Sequence, residues 1–384
     1  MALAAVVAAA CSSGSSGSSA DSPSEAEAGA DPAATEAESR PAVYPATEWR
    51  RGDPAEAGFD PAKLEEIATE AQQNGSNCLV VTRHGELVAE WYWNGTNATS
   101  AQEVFSATKS VSSTLVGIAE ADGDLDVDDP ASDYISEWAA TPSAEVTIEN
   151  ILSNDSGRHW DLATDYQGLV ADPDRTGFAV ALGQDAAPGT TWAYNNSAIR
   201  TLDDVLSRAT GAEPADYAAD KLLDPIGMEH SEMTRDGAGN TNMFFGLQST
   251  CEDMARFGYL FLRGGDWDGT QVVPQDWVEA ATGQPSQGLN AAYGYLWWLN
   301  HQGPLGNPLQ ATTGQEAGST PDGQMVAGAP EDIYWALGLG GQVVQVDPGS
   351  DTVVVRLGTG DLGANYGSAN TARVVTEALA DSSP

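Results

Sequence analysis

Ser106 and Lys109 stand three residues apart in Phe105-Ser106-Ala107-Thr108-Lys109-Ser110. On a helix that spacing puts a hydroxyl and an amine on one face. A lysine buried in its neutral form can take the serine proton, because desolvation disfavours the ammonium. The pair is then an activated nucleophile suited to acyl transfer. A serine in the first turn of a helix also lies near free backbone N–H groups and the positive end of the dipole, which favour developing negative charge. Ser-x-x-Lys recurs by chance, but the other two lysines, Lys63 and Lys221, have no serine three residues before them.

Two distant stretches carry groups that such a pair needs. Pro188 to Ser197 (PGTTWAYNNS) holds a Tyr-x-Asn triplet just before a helical pattern. The Tyr194 phenol could relay protons with Lys109, and Asn196 could hold the lysine or a substrate carbonyl. Near the far end, Gly338-Leu339-Gly340-Gly341-Gln342 opens a strand with little side-chain bulk. A substrate could lie against backbone at Gly341, and the Gln342 N–H could join the Ser106 N–H in an oxyanion hole. A Ser-His-Asp hydrolase would carry Gly-x-Ser-x-Gly, which does not occur.

No metal or other cofactor is expected. His84, His159, His230 and His301 are scattered singly, and Cys78 and Cys251 lack metal-site spacing. The alternating acids of Asp122 to Asp128 imitate a calcium loop, but Val127 stands where the turn glycine belongs and no glutamate closes it. They read as a solvated loop.

The elements that position these groups follow from pattern. A helix is expected after Asp60-Pro61, with Leu64, Ile67, Ala68 and Ala71 as its buried stripe and Gly75 as its end. Cys78 to Thr82 and Leu87 to Trp93 flank the turn Arg83-His84-Gly85-Glu86 and read as an antiparallel hairpin. Strands recur at Ile333 to Leu337, Gln342 to Val346 and Thr352 to Leu357, before a last helix over about Ser368 to Ala380. Between these ends the period turns helical, with Val111, Leu115 and Ile118, then Ile199, Leu202, Val205 and Leu206, then Met254, Phe257 and Leu260. The expected class is α/β of the α+β kind. Its antiparallel sheet is built from both chain ends and flanked by helices, and a mostly helical region is inserted between them.

In the order and character of its three elements the chain resembles the serine β-lactamase and penicillin-binding-protein superfamily. It is most similar to the class C-type branch, which includes carboxylesterases, D-amino-acid peptidases and 6-aminohexanoate-oligomer hydrolases. AEADGDLDVDDP (119–130), VTIENILSNDSG (146–157), DPIGM (224–228) and CEDMARFG (251–258) support the likeness, which extends over about residues 46–380. The resemblance implies Ser106 as the acylated nucleophile, Lys109 as its base, Tyr194 as proton shuttle and Asn196 as part of the second motif. It also implies a substrate-facing tyrosine near Tyr166. Where β-lactam-processing relatives have Lys-Thr-Gly, this chain has Leu339-Gly340-Gly341. Neutral Leu339 cannot replace a cation that binds a carboxylate, unless Arg356 or Arg373 compensates. The expected substrate is a small ester or a non-β-lactam amide. A class C-like β-lactamase or DD-peptidase and a non-catalytic surface-binding lipoprotein are the alternatives. Trp160, Trp297, Trp298 and Trp335 could line an apolar cleft with Tyr166, although core packing is the favoured reading of each.

Residues 1–11 read as a lipoprotein-type signal ending at Cys11, the candidate lipidation site, with an ordinary secretory leader as the other reading. Residues 12–45 have the Ser, Ala, Glu and Gly composition of a disordered tether, and the hydrolase region would occupy 46–384. Within it, the α/β part falls at about 46–105 and 325–384 and the helical part at about 106–324. The chain is expected to be exported, touching the membrane only through a lipid on Cys11. A net charge of −40 excludes nucleic acid as a partner. In an exported protein Cys78 and Cys251 could be joined, and two buried free thiols fit equally well. Composition does not set the oligomeric state.

Overall fold

A computed structural model describes residues 42–313, 321–361 and 366–380. The signal reading and Cys11 lie outside these residues. Helix α1 (Pro61–Gln73) begins where expected, because the Asp60 side chain accepts from the Ala62 and Lys63 N–H groups and Pro61 takes the first helical position. Leu64, Ile67, Ala68 and Ala71 are its buried residues. Strands β1 (Ser76–Arg83) and β2 (Glu86–Tyr92) pair antiparallel across a two-residue turn. His84 and Gly85 both have positive φ there, the conformation that suits the twist of a tight hairpin.

Helix α2 (Thr108–Asp122) is buried from Thr108 to Ala119, all round rather than along one face. It runs through the centre of the molecule, and its hydroxyls find partners at that depth. Ser110 Oγ donates to the Leu296 carbonyl at 2.9 Å and Ser112 Oγ to the Met243 carbonyl at 2.7 Å. The apolar pattern around Ile199 to Leu206 is split at Thr201 into helix α3 (Asn196–Arg200) and a second helix, Leu202–Thr210. Helix α4 (Cys251–Leu262) follows, capped by Thr250.

Four further strands complete the main sheet: β3 (Trp298–Leu299), β4 (Tyr334–Gly338), β5 (Gln342–Asp347) and β6 (Thr352–Gly358). The antiparallel order is β2-β1-β6-β5-β4-β3. The two chain ends therefore meet at β1 and β6, where Val80 is opposite Val355. Short edge strand β3 departs from the sheet-from-both-ends reading, since it comes from the inserted region. Along β6 alternate residues serve two cores, as the period of two requires. Val353, Val355 and Leu357 face the core shared with α2 and α4, whereas Val354 faces α1 and the C-terminal helix α5 (Ser368–Arg373). Gly258 lets α4 lie close to the sheet, because a Cβ there would fall 2.7 Å from a Val353 methyl.

Cys78 and Cys251 are disulfide-bonded, which decides between the two readings of these residues. The bond ties β1 to the first turn of α4. Among the described residues no helix is long and apolar enough to cross a membrane.

Candidate active site

Ser106 lies in a single 3-10 turn, Phe105–Ala107, that leads into α2. Lys109 is in the first turn of α2 and only 1% exposed. Its Nζ donates to Ser106 Oγ at 2.7 Å and to the Phe244 carbonyl at 3.0 Å. Burial pushes the lysine down to about 7, with the charge of Asp165 pulling weakly the other way. A useful fraction of Lys109 is therefore neutral near pH 7, within reach of the hydroxyl it would deprotonate.

Tyr194 closes the group from the other side. Its ring centre is 4.5 Å from Lys109 Nζ, and its hydroxyl lies near that of Ser106. Burial holds the phenol well above its usual range, so it is protonated at neutral pH and can give a proton to a leaving group. Trp298 packs at a tilt on Tyr194 at 5.5 Å, and Trp160 Nε1 donates to the Tyr194 carbonyl at 3.1 Å. Trp297 and Trp335 are fully buried instead. Trp297 stacks on Phe257, and the Trp335 indole donates to Gln345, so both belong to the core rather than to a cleft.

Asn195 and Asn196 divide their tasks. Asn195 Oδ1 caps α3 by accepting from Ala198 N–H at 2.8 Å. Asn196 Nδ2 donates to Asp165 Oδ2 at 2.7 Å, and its backbone N–H donates to the same oxygen at 3.1 Å. Asn196 thus binds a buried acid rather than Lys109, with Tyr166 beside it. Asp165 accepts twice more, from Ser197 N–H and Ser197 Oγ. Tyr166 is half-buried beside this acid, close enough to Tyr194 for the two phenols to interact.

The third element differs from its sequence reading. Strand β4 ends at Gly338, and Leu339-Gly340-Gly341 is the hairpin turn, with φ of 74° at Gly340 and 75° at Gly341. The backbone pressed against the Ser106 turn is that of Gly338, where a Cβ would lie 2.1 Å from the Val104 carbonyl oxygen. The side-chain-poor strand at the site is therefore Ala336-Leu337-Gly338. Gln342 opens β5, an interior strand with β4 and β6 on its two sides. It is opposite Gly338, and its side chain accepts from Gly358 N–H at 2.7 Å and donates to the Leu339 carbonyl. Beyond Trp335, β3 no longer covers the outer edge of β4, which leaves backbone there open to a substrate. Leu339 itself is 47% exposed at the tip.

Neither arginine replaces the missing cation. The Arg356 guanidinium is buried and donates to the Gly340 and Gly341 carbonyls, the Asn74 carbonyl and Ser76 Oγ, bracing the tip from behind. Arg373 pairs with Glu70 and Glu377 on the far helices.

Comparison with known proteins turns this geometry into a lineage. The family model described as Beta-lactamase matches residues 63–378. The chain belongs to the beta-lactamase family. This beta-lactamase-family chain is 25% identical over 350 residues to the 6-aminohexanoate-dimer hydrolase of Paenarthrobacter ureafaciens, covering 82% of each protein. A solved Bacillus anthracis structure, provisionally named a 6-aminohexanoate-dimer hydrolase, superposes with a TM-score of 0.64 at 21% identity, over 83% of this chain and 82% of that one. The octameric penicillin-binding protein homologue from Pyrococcus abyssi gives 0.63 at 17% identity, over 83% and 77%. The protein is thus a serine hydrolase of β-lactamase fold.

Three site groups are missing from the sequence reading. The Phe244 carbonyl that holds Lys109 is backbone and leaves no side-chain signal. Asp165 is an ordinary acid among 56 until the fold buries it against Asn196. Glu103 differs in lying only three residues before Ser106, a proximity visible in the sequence.

Proposed function

We propose that the protein hydrolyses esters or non-β-lactam amides through an acyl-enzyme on Ser106. The observation that supports this substrate class is the uncharged backbone edge from Ala336 to Leu339, with Arg356 committed to the carbonyls behind it. A β-lactam or D-Ala-D-Ala end presents a carboxylate, and this edge offers it no cation. The Paenarthrobacter relative is named as a hydrolase of a 6-aminohexanoate dimer, an amide that is not a β-lactam.

In the proposed reaction Ser106 Oγ attacks the carbonyl carbon as its proton passes to Lys109, giving a tetrahedral oxyanion held by backbone N–H groups. The bond to the leaving group breaks as Tyr194 delivers a proton to the departing nitrogen or oxygen, and Lys109 returns one to Tyr194. A water molecule then attacks the acyl carbon, loses a proton to the same pair and expels Ser106 Oγ, which is reprotonated. Because Lys109 acts in its neutral form, acylation should rise with pH through about 7 and level off above it. The expected gain is about tenfold between pH 6 and pH 8, read from single-turnover rates. A rate that is flat or falls over that range would remove Lys109 as the base.

We also propose that the protein is exported. The Cys78–Cys251 disulfide supports this, since such bonds persist in oxidising compartments. The substrate reading is tested by turnover of a short-chain p-nitrophenyl ester, a linear amide and a chromogenic cephalosporin. The ester or amide should be the faster substrate. Faster cephalosporin turnover would reverse the assignment, and no serine adduct with a fluorophosphonate would leave only a non-catalytic role.

A further inference from the structure

The chemistry above makes no use of Glu103, yet its carboxylate touches the surroundings of both reacting groups. Oε1 accepts from Phe105 N–H at 2.8 Å and from Gly246 N–H at 2.8 Å, and Oε2 accepts from Gln248 Nε2 at 2.9 Å. Phe105 immediately precedes Ser106, and its φ of 49° lies in the left-handed region that strains a bulky L-residue. Gly246 lies two residues after Phe244, whose carbonyl accepts from Lys109 Nζ. A single carboxylate oxygen therefore fastens the backbone before the nucleophile to the loop behind its amine. Two neighbouring bonds follow the same seam: Val104 N–H donates to the Leu247 carbonyl at 3.0 Å, and Leu247 N–H to Thr108 Oγ1 at 3.1 Å.

We propose that Glu103 is a positioning residue that locks the strained Phe105 turn onto the 244–246 loop and so sets the alignment of Ser106 Oγ with Lys109 Nζ. It does not meet substrate. Without the carboxylate, Phe105 can relax toward negative φ, and the hydroxyl turns away from the amine. Misplacement of a reacting group by about 1 Å costs on the order of 100-fold in rate. The inference rests on the acyl-enzyme reading of Ser106.

The test is the rate of Ser106 labelling by a fluorophosphonate, followed by intact mass on the full chain. Glu103→Gln keeps one carbonyl oxygen for the Phe105 and Gly246 N–H groups and should label within about fivefold of the unsubstituted protein. Glu103→Ala should label at least about 30-fold more slowly. Adding Phe105→Gly to Glu103→Ala, so that the turn adopts positive φ without strain, should recover about tenfold. If the alanine variant does not fold by circular dichroism, Glu103→Asp, too short to span both N–H groups, should show the same slowing. Labelling of Glu103→Ala or Glu103→Asp at the unsubstituted rate, or no recovery in the double variant, would overturn the proposal. No label on the unsubstituted protein would instead bring down the acyl-enzyme reading and this inference with it.

Discussion

Lys109→Ala should slow acylation of Ser106 by about 10⁴-fold or more, the scale seen when a base is removed from an activated serine. The physical reason is the absence of a substitute at that position. Lys109 Nζ is 2.7 Å from Ser106 Oγ, and its burial brings it down to about 7. The next nearest titratable group, Tyr194, is held protonated by burial and cannot accept a proton at neutral pH. Asp165 is turned toward Asn196 and Ser197. The variant should still fold, because the lost amine was itself costly to bury and the carbonyl of Phe244 is the one backbone group left without its donor. Single-turnover labelling reads the rate, circular dichroism reads the fold, and Ser106→Ala, which should take no label at all, fixes the baseline. Acylation at an unchanged rate in Lys109→Ala would show that another group deprotonates the serine.

Removal of the disulfide by Cys78→Ala and Cys251→Ala together should cost about 5 kcal/mol, the chain-entropy value for a loop of 173 residues. For a chain of this size that corresponds to a melting temperature lower by about 7 °C. The large loop makes the constraint on the unfolded chain large, and the bond joins two elements that are packed in the native state. A melting temperature within about 2 °C of the parent would mean that α4 and β1 hold together through packing alone.

The sequence already showed the strands that carry the sheet, because Val-rich runs bounded by Gly, Pro and Asp have few other readings. It pointed to Ser106, Lys109 and Tyr194, which the fold brings together, because the chemistry proposed for them depends on side-chain type. The third element failed for a physical reason. A glycine cluster fits an open strand and a tight turn equally well, and the choice was made by contacts between Gly338 and the Val104 carbonyl that no local pattern encodes. The Asn196 partner was equally hidden, since Asp165 lies 31 residues earlier. Trp297 and Trp335 were open to a cleft reading and a core reading, because aromatic character alone does not tell a wall from a core.

Ser106, Lys109 and Tyr194 all fall between Cys78 and Cys251 in the chain. The segment that holds them is therefore a closed covalent ring. A protease that cuts once between residues 79 and 250 leaves two pieces that stay joined through sulfur. Such a nicked molecule runs as one species on a non-reducing gel and comes apart only after reduction. That topology lets the protein take a single cut in any of its surface loops there without shedding a part of its site.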